Sequence, residues 1–187
     1  MGSYFYLMAQ LPYLIYEQKP PMSSASFKAT AAYFLNSTDA DLLKHLSLDP
    51  AFSQKKTDSD FIESWREFER ALRLNLAKER AIKLKRDAIQ ITNPPLFPLE
   101  AAHAASKAID ESSPLEGEVV LDKARWTAID SMTGFDNFDR NAVYAYFLKL
   151  LLLERREAFN TEKGFAEYKS LYASILDSAQ NSLGETK

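Results

Sequence analysis

Residues 140–156 read RNAVYAYFLKLLLLERR, and the fold turns on them. From Ala142 to Leu153 there is no glycine or proline, and nearly every position is apolar. Such a helix has no face to give to water, so it belongs at the centre of a bundle. It is too short to cross a bilayer, which takes about 20 apolar residues, and Lys149 interrupts it. Asp139 stands where an N-cap is needed. Gly134 is placed to close the preceding helix, with Phe135 folding back as the accompanying hydrophobic contact.

Working upstream, Pro114 suits the first turn of a helix carrying Val119, Leu121, Trp126, Ile129 and Met132. Leu99 to Glu111 is alanine-rich and reads as a helix that neighbours can approach closely. TNPPLFP (92–98) breaks the chain. Before it, Phe61, Trp65, Phe68, Leu72 and Leu76 recur at helical spacing. This pattern predicts one long helix over 59–89, about 45 Å at the usual rise. A short helix starts at Ser23 or Ser24, after Pro20 and Pro21. Another starts at Thr38 or Asp39, carries Leu42, Leu43 and Leu46, and stops at Asp49-Pro50. Downstream, Thr161 to about Ser182 carries Phe165, Tyr168, Leu171, Tyr172 and Ile175, before a polar tail from about 183. The reading is all-α: a single domain over 1–187, an irregular bundle of six or seven helices with an N-terminal aromatic segment packed on the long one.

That segment is SYFYLMAQLPYL (3–14). It lacks the basic start of a signal peptide, and Gln10 and Pro12 interrupt its apolar run. YFYLM is the one candidate for extended backbone. Tyr4, Tyr6, Tyr13 and Tyr16 can each bury a ring and keep a hydroxyl at the edge, which suits packing within the domain or a subunit contact.

Composition narrows the chemistry. The net charge of −3 excludes a strongly basic nucleic-acid binder. There is no cysteine for disulfides, thiolate metal sites or nucleophiles. Glu100 and His103 have the E-x-x-H spacing of carboxylate-bridged metal bundles, but the second such pair is missing. His45 reads as an ordinary helix residue. No nucleophile elbow or phosphate loop is present. Carboxylates are spread along helix faces, where solvation is the expected state, and Glu69/Arg73 and Glu79/Lys83 have the supporting i, i+4 order. No catalytic residue, cofactor or metal ligand is therefore assigned.

Two charged features stand out. LAKERAIKLKRD (76–87) has five basic and two acidic residues. Lys78, Arg80, Lys83, Lys85 and Arg86 read either as a solvated helix end or as a docking surface for an acidic partner. Stacking aromatics are not interleaved there, which argues against nucleic acid. Lys149, followed by Arg155 and Arg156, reads as structural ion pairing, because an unpaired buried ammonium is costly; Glu100 or Asp130 could supply the carboxylate.

In order along the chain, YFYLMAQLPYL, the PP pair, SWREFERALRLNLAKERAIKL and FDNFDRNAVYAYFLKLLLLERREAF resemble an uncharacterised family encoded in bacterial V-type ATPase operons. The resemblance implies a non-catalytic subunit standing in for the C-type (d-type) central-stalk subunit. Such a subunit links the rotor shaft to the membrane proteolipid ring, in the cytoplasm at the inner face of the cell membrane. Tyr4, Tyr6 and Leu7 fit the family's start, and Arg80, Lys149 and Arg155 fit its later blocks. C-type subunits are longer and built from three similar helical units, whereas this chain has room for one or two. A helical adaptor unrelated to ATPases and a metal-binding bundle are the alternatives.

Overall fold

A computed structural model describes residues 4–51, 55–85, 98–159 and 161–184. Among the described residues the secondary structure is entirely helical. The elements are α1 (Tyr4–Gln10), α2 (Ser24–Ala31), α3 (Ser37–His45), α4 (Asp60–Lys83), α5 (Leu99–Asp110), α6 (Pro114–Thr133), α7 (Arg140–Ala158) and α8 (Thr161–Gly184). The chain divides into two compact units, Met1–Glu154 and Arg155–Lys187.

Local chemistry sets most helix starts. Ser23, Asn36, Ser59 and Ser113 each accept a backbone N–H from the first turn of α2, α3, α4 and α6. Asp139 does the same for Ala142 at 2.8 Å, and Pro114 occupies the first turn of α6. Three expectations are corrected. YFYLM is the body of helix α1, not extended chain. The long helix α4 ends at Lys83 and spans 24 residues, about 36 Å, with Lys85 already at a φ of 52°. Phe135 does not fold back after Gly134 (φ 77°) but is fully exposed.

Within the first unit, α4 buries Phe61, Trp65, Phe68 and Leu72, and α7 is buried from Ala142 to Leu148. Phe27 of α2 stacks on Tyr146 and Phe147 of α7, with ring centroids 5.1 and 5.8 Å apart. The alanines Ala101, Ala104 and Ala105 let α5 lie close against both α4 and α6. Gly117 of α6 extends that closeness: a Cβ there would stand 2.7 Å from the Ala108 carbonyl oxygen.

Carboxylates that read as solvated are built into this core. Glu69 of α4 and Asp122 of α6 are both buried. Arg125 Nε donates to Glu69 Oε1 at 2.6 Å, and Arg125 Nη1 to Asp122 at 2.9 Å. Arg73 Nε reaches Glu69 Oε2 at 3.2 Å, and its other nitrogens bind Asp49 and the Leu48 carbonyl. Burial opposes the Arg125 charge, yet Glu69 and Asp122 overcome it and leave the guanidinium pKa raised.

In the second unit α8 has 24 residues. Its apolar residues Phe165, Tyr168, Leu171, Tyr172, Ile175 and Leu176 are all exposed.

Candidate contact surface

Turning YFYLM into a helix divides its side chains between two directions. Residues three or four apart share a face. Tyr4, Leu7, Met8 and Leu11 therefore pack against the core, with Leu7 and, further on, Leu14 buried. Phe5 and Tyr6 point away, followed by Tyr13 and Ile15, all exposed; Tyr13 keeps 87% of its surface and Tyr6 70%. Leu7 is thus corrected as a partner contact: it is an internal anchor. The segment's hydrogen bonds and ring contacts reach α3, α6, α7 and the turn before α7.

Tyr4 is held by Asp39, which lies in the first turn of α3 and is only 3% exposed. The Tyr4 hydroxyl donates to Asp39 Oδ2, as does Asn36 Nδ2 at 2.9 Å. From α7, the Tyr144 hydroxyl donates to Asp39 Oδ1 at 3.1 Å, and Arg140 Nη1 stands 3.7 Å from the same oxygen. Arg140 also donates to the Asp58 carbonyl at 2.8 Å. Burial, then the hydrogen bond to Asp39, pushes the Tyr4 phenol up to about 12. Burial and the Asp39 charge push Tyr144 higher still.

A cleft of about 520 Å³ lies between this segment and helices α6 and α7. Met8, Leu11, Tyr16, Trp126, Phe138 and Tyr146 wall it. Tyr16 meets Trp126 edge-on at 5.3 Å, and Phe5 leans on Phe138 at 4.8 Å. The Tyr146 hydroxyl ties the floor to the segment through the Pro12 carbonyl at 2.9 Å. At the mouth, Lys149 is ion-paired with Asp130 and sits 5.0 Å from the centre of the Trp126 ring. Of the two carboxylates weighed for Lys149, Asp130 is the one in contact. Asp130, Thr133, Asn137 and Lys149 line the cleft as well, so it is as polar as it is apolar and suits a side chain with an apolar body and a polar end.

The other singled-out residues lie elsewhere. At the end of α4, Arg80, Lys83 and Lys85 are exposed and Lys78 is half-buried. Lys83 Nζ donates to the Ile109 carbonyl at 2.5 Å. Arg86 and most of the 92–98 break lie outside the described residues. Arg155, in the second unit, sits 5.6 Å from the Phe159 ring. Glu100 and His103 share a groove between α5 and α6 with Lys107 and Lys123. Among the described residues no group of three or more His, Cys, Asp or Glu could hold a metal ion. Sequence reasoning missed Asp39, Arg140 and Tyr144; nothing in the pattern of a short polar helix start separates a buried Asp from a capping one.

Residues 104–178 match a family described as a protein of unknown function (DUF2764), which spans less than half of the chain. No curated protein matches. No solved structure matches.

Proposed function

We propose that this chain is a non-catalytic subunit of a V/A-type rotary ATPase, coupling the central rotor shaft to the membrane proteolipid ring. The observation that carries the reading is the divided N-terminal segment. One face is locked down by Leu7, Leu14 and the Tyr4–Asp39 contact. The other presents Phe5, Tyr6, Tyr13 and Ile15 beside a cleft lined by aromatic and polar side chains. Aromatic side chains on a rigid support are what protein interfaces use as anchors, and a contiguous exposed apolar patch marks a contact site. The ordered sequence blocks that resemble V-type ATPase operon proteins supply the identity of the partners. The exposed basic residues Arg80, Lys83 and Lys85 offer a second, charged surface for an acidic neighbour.

On this reading the protein sits at the inner face of the cell membrane through its partners. Among the described residues no helix is long and apolar enough to span a bilayer. The test is affinity capture of the tagged full chain from native membranes. Rotor-shaft and proteolipid subunits are expected to co-purify, and Tyr6→Ala with Tyr13→Ala to cut their recovery roughly tenfold or more without altering the circular dichroism spectrum. Capture of neither subunit overturns the proposal. Capture of unrelated proteins through the same patch would establish the adaptor alternative.

A further inference from the structure

We infer that the apolar stripe of α8 is a self-association surface, covered by the same stripe of a second copy of this chain in a parallel pair. This goes beyond the coupling role and does not rest on it. Phe165, Tyr168, Tyr172 and Ile175 follow one another at spacings of three, four and three, the a and d positions of a two-stranded coiled coil. Leu171 and Leu176 then take the flanking g and e positions. The opposite face carries Glu167, Ser170 and Ser174, so the helix is amphipathic and its apolar side is the one left open.

The exposed fractions decide what could cover it. They are 58% for Phe165, 62% for Tyr168, 63% for Leu171, 54% for Tyr172, 58% for Ile175 and 44% for Leu176. With roughly 200 Å² for each aromatic and somewhat less for each aliphatic side chain, one copy offers about 600 Å². Two copies can bury at most about 1,200 Å², the lower edge of a specific, stable interface. The seam carries no charge, so it is self-complementary about a two-fold axis. In a parallel, in-register pair Leu171 meets the second copy's Leu176. Lys169, whose ammonium lies 4.6 Å from the Phe165 ring, falls opposite Gly164, which has open space around it. An antiparallel pair would bring the two Lys169 residues together, and like charges across a seam are unfavourable.

The interface is small, so association is expected to be weak and concentration-dependent. Sedimentation velocity of the full chain, run as a concentration series into the high micromolar range, is expected to show a monomer–dimer equilibrium. Tyr172→Lys should weaken it roughly tenfold or more, because it places an ammonium in the seam. The chain has no cysteine, so single-cysteine variants give a second reading that survives misfolding of the lysine variant. Tyr172→Cys should form a disulfide-linked dimer on oxidation, and Ser170→Cys, on the far face, should not. A monomer at every concentration overturns the inference, as does a dimer insensitive to Tyr172→Lys, or equal cross-linking at both positions.

Discussion

Glu69 and Asp39 are both carboxylates removed from water, 0% and 3% exposed, and they are held in different ways. Glu69 faces two guanidinium groups, those of Arg73 and Arg125. Asp39 faces two phenol hydroxyls, an amide and a more distant guanidinium. The first arrangement ties the long helix to α6 by charge, deep in the bundle. The second ties α1 and α7 to α3 mostly by neutral donors, at the edge where the exposed aromatic strip begins. Losing Glu69 takes a charged acceptor from two guanidinium groups and leaves the buried Arg125 with Asp122, whereas losing Asp39 strands hydroxyls that can turn elsewhere. Desolvated charge is the more costly of the two.

Glu69→Ala is expected to cost the most. It leaves Arg125 buried with Asp122 as its remaining carboxylate partner, and the expected loss is about 3–5 kcal/mol. Urea denaturation would show this as a lower midpoint. Replacing all three buried members, Glu69→Met with Arg125→Leu and Asp122→Leu, should recover most of the loss, because none of the network's buried charges then remains. A Glu69→Ala cost near that of a surface substitution would mean that Arg125 escapes to solvent and the network holds nothing together.

Asp39→Ala comes next. Tyr4, Tyr144 and Asn36 lose an acceptor, and the expected cost is about 1–3 kcal/mol. The distinguishing readout is local. Amide hydrogen exchange should rise in α1 and at the start of α7, while the amides of α4 and α6 keep their protection. If exchange rises uniformly, Asp39 supports the whole unit and the contrast with Glu69 disappears.

How far the sequence could show this differs by element. The nearly all-apolar run of α7 announces a central helix, and the helix starts at Ser59, Pro114 and Asp139 are local chemistry that a reader can see. Glu69 left a trace as well: with Ile62 and Leu76 it forms a seven-residue spacing on the buried side of α4. Arg125 likewise lies between Leu121 and Ile129 at spacings of four. Charged residues in line with core positions were legible as candidates for burial, but not their pairing, because partners 56 residues apart meet only in the folded chain. For α8 the periodicity was plain, yet periodicity says only that a stripe needs cover. Its residues stay exposed, and a pattern within one helix cannot say whether the covering surface belongs to the same chain. The N-terminal segment failed in another way. Aromatic residues favour strands on average, but a segment this short takes whichever conformation the surrounding contacts reward, and here a helix is what brings Tyr4 to Asp39 while turning Leu7 into the core.

The smallest expected effect belongs to Tyr4→Phe. Asp39 keeps Asn36, Tyr144 and Arg140 as partners, so at neutral pH the loss should be about 0.5–1.5 kcal/mol. Its value lies in alkaline solution. Burial and Asp39 raise the Tyr4 phenol from its ordinary value of 10.0 to about 12, and burial alone does the same to Tyr146. Between those two pH values the unfolded chain has released these protons and the folded chain still holds them. The folded state therefore binds more protons, and stability must fall as pH rises. The contribution is fully present below pH 10 and is lost as pH climbs toward 12. Tyr4→Phe removes one of the groups responsible, so urea midpoints followed through that range should decline less steeply in the variant than in the parent chain. Tyr146→Phe should flatten the same range while leaving the Asp39 contacts in place. If Tyr4→Phe keeps the parent's slope, its phenol is not held by Asp39, and the aromatic strip loses the anchor that makes it a rigid contact surface.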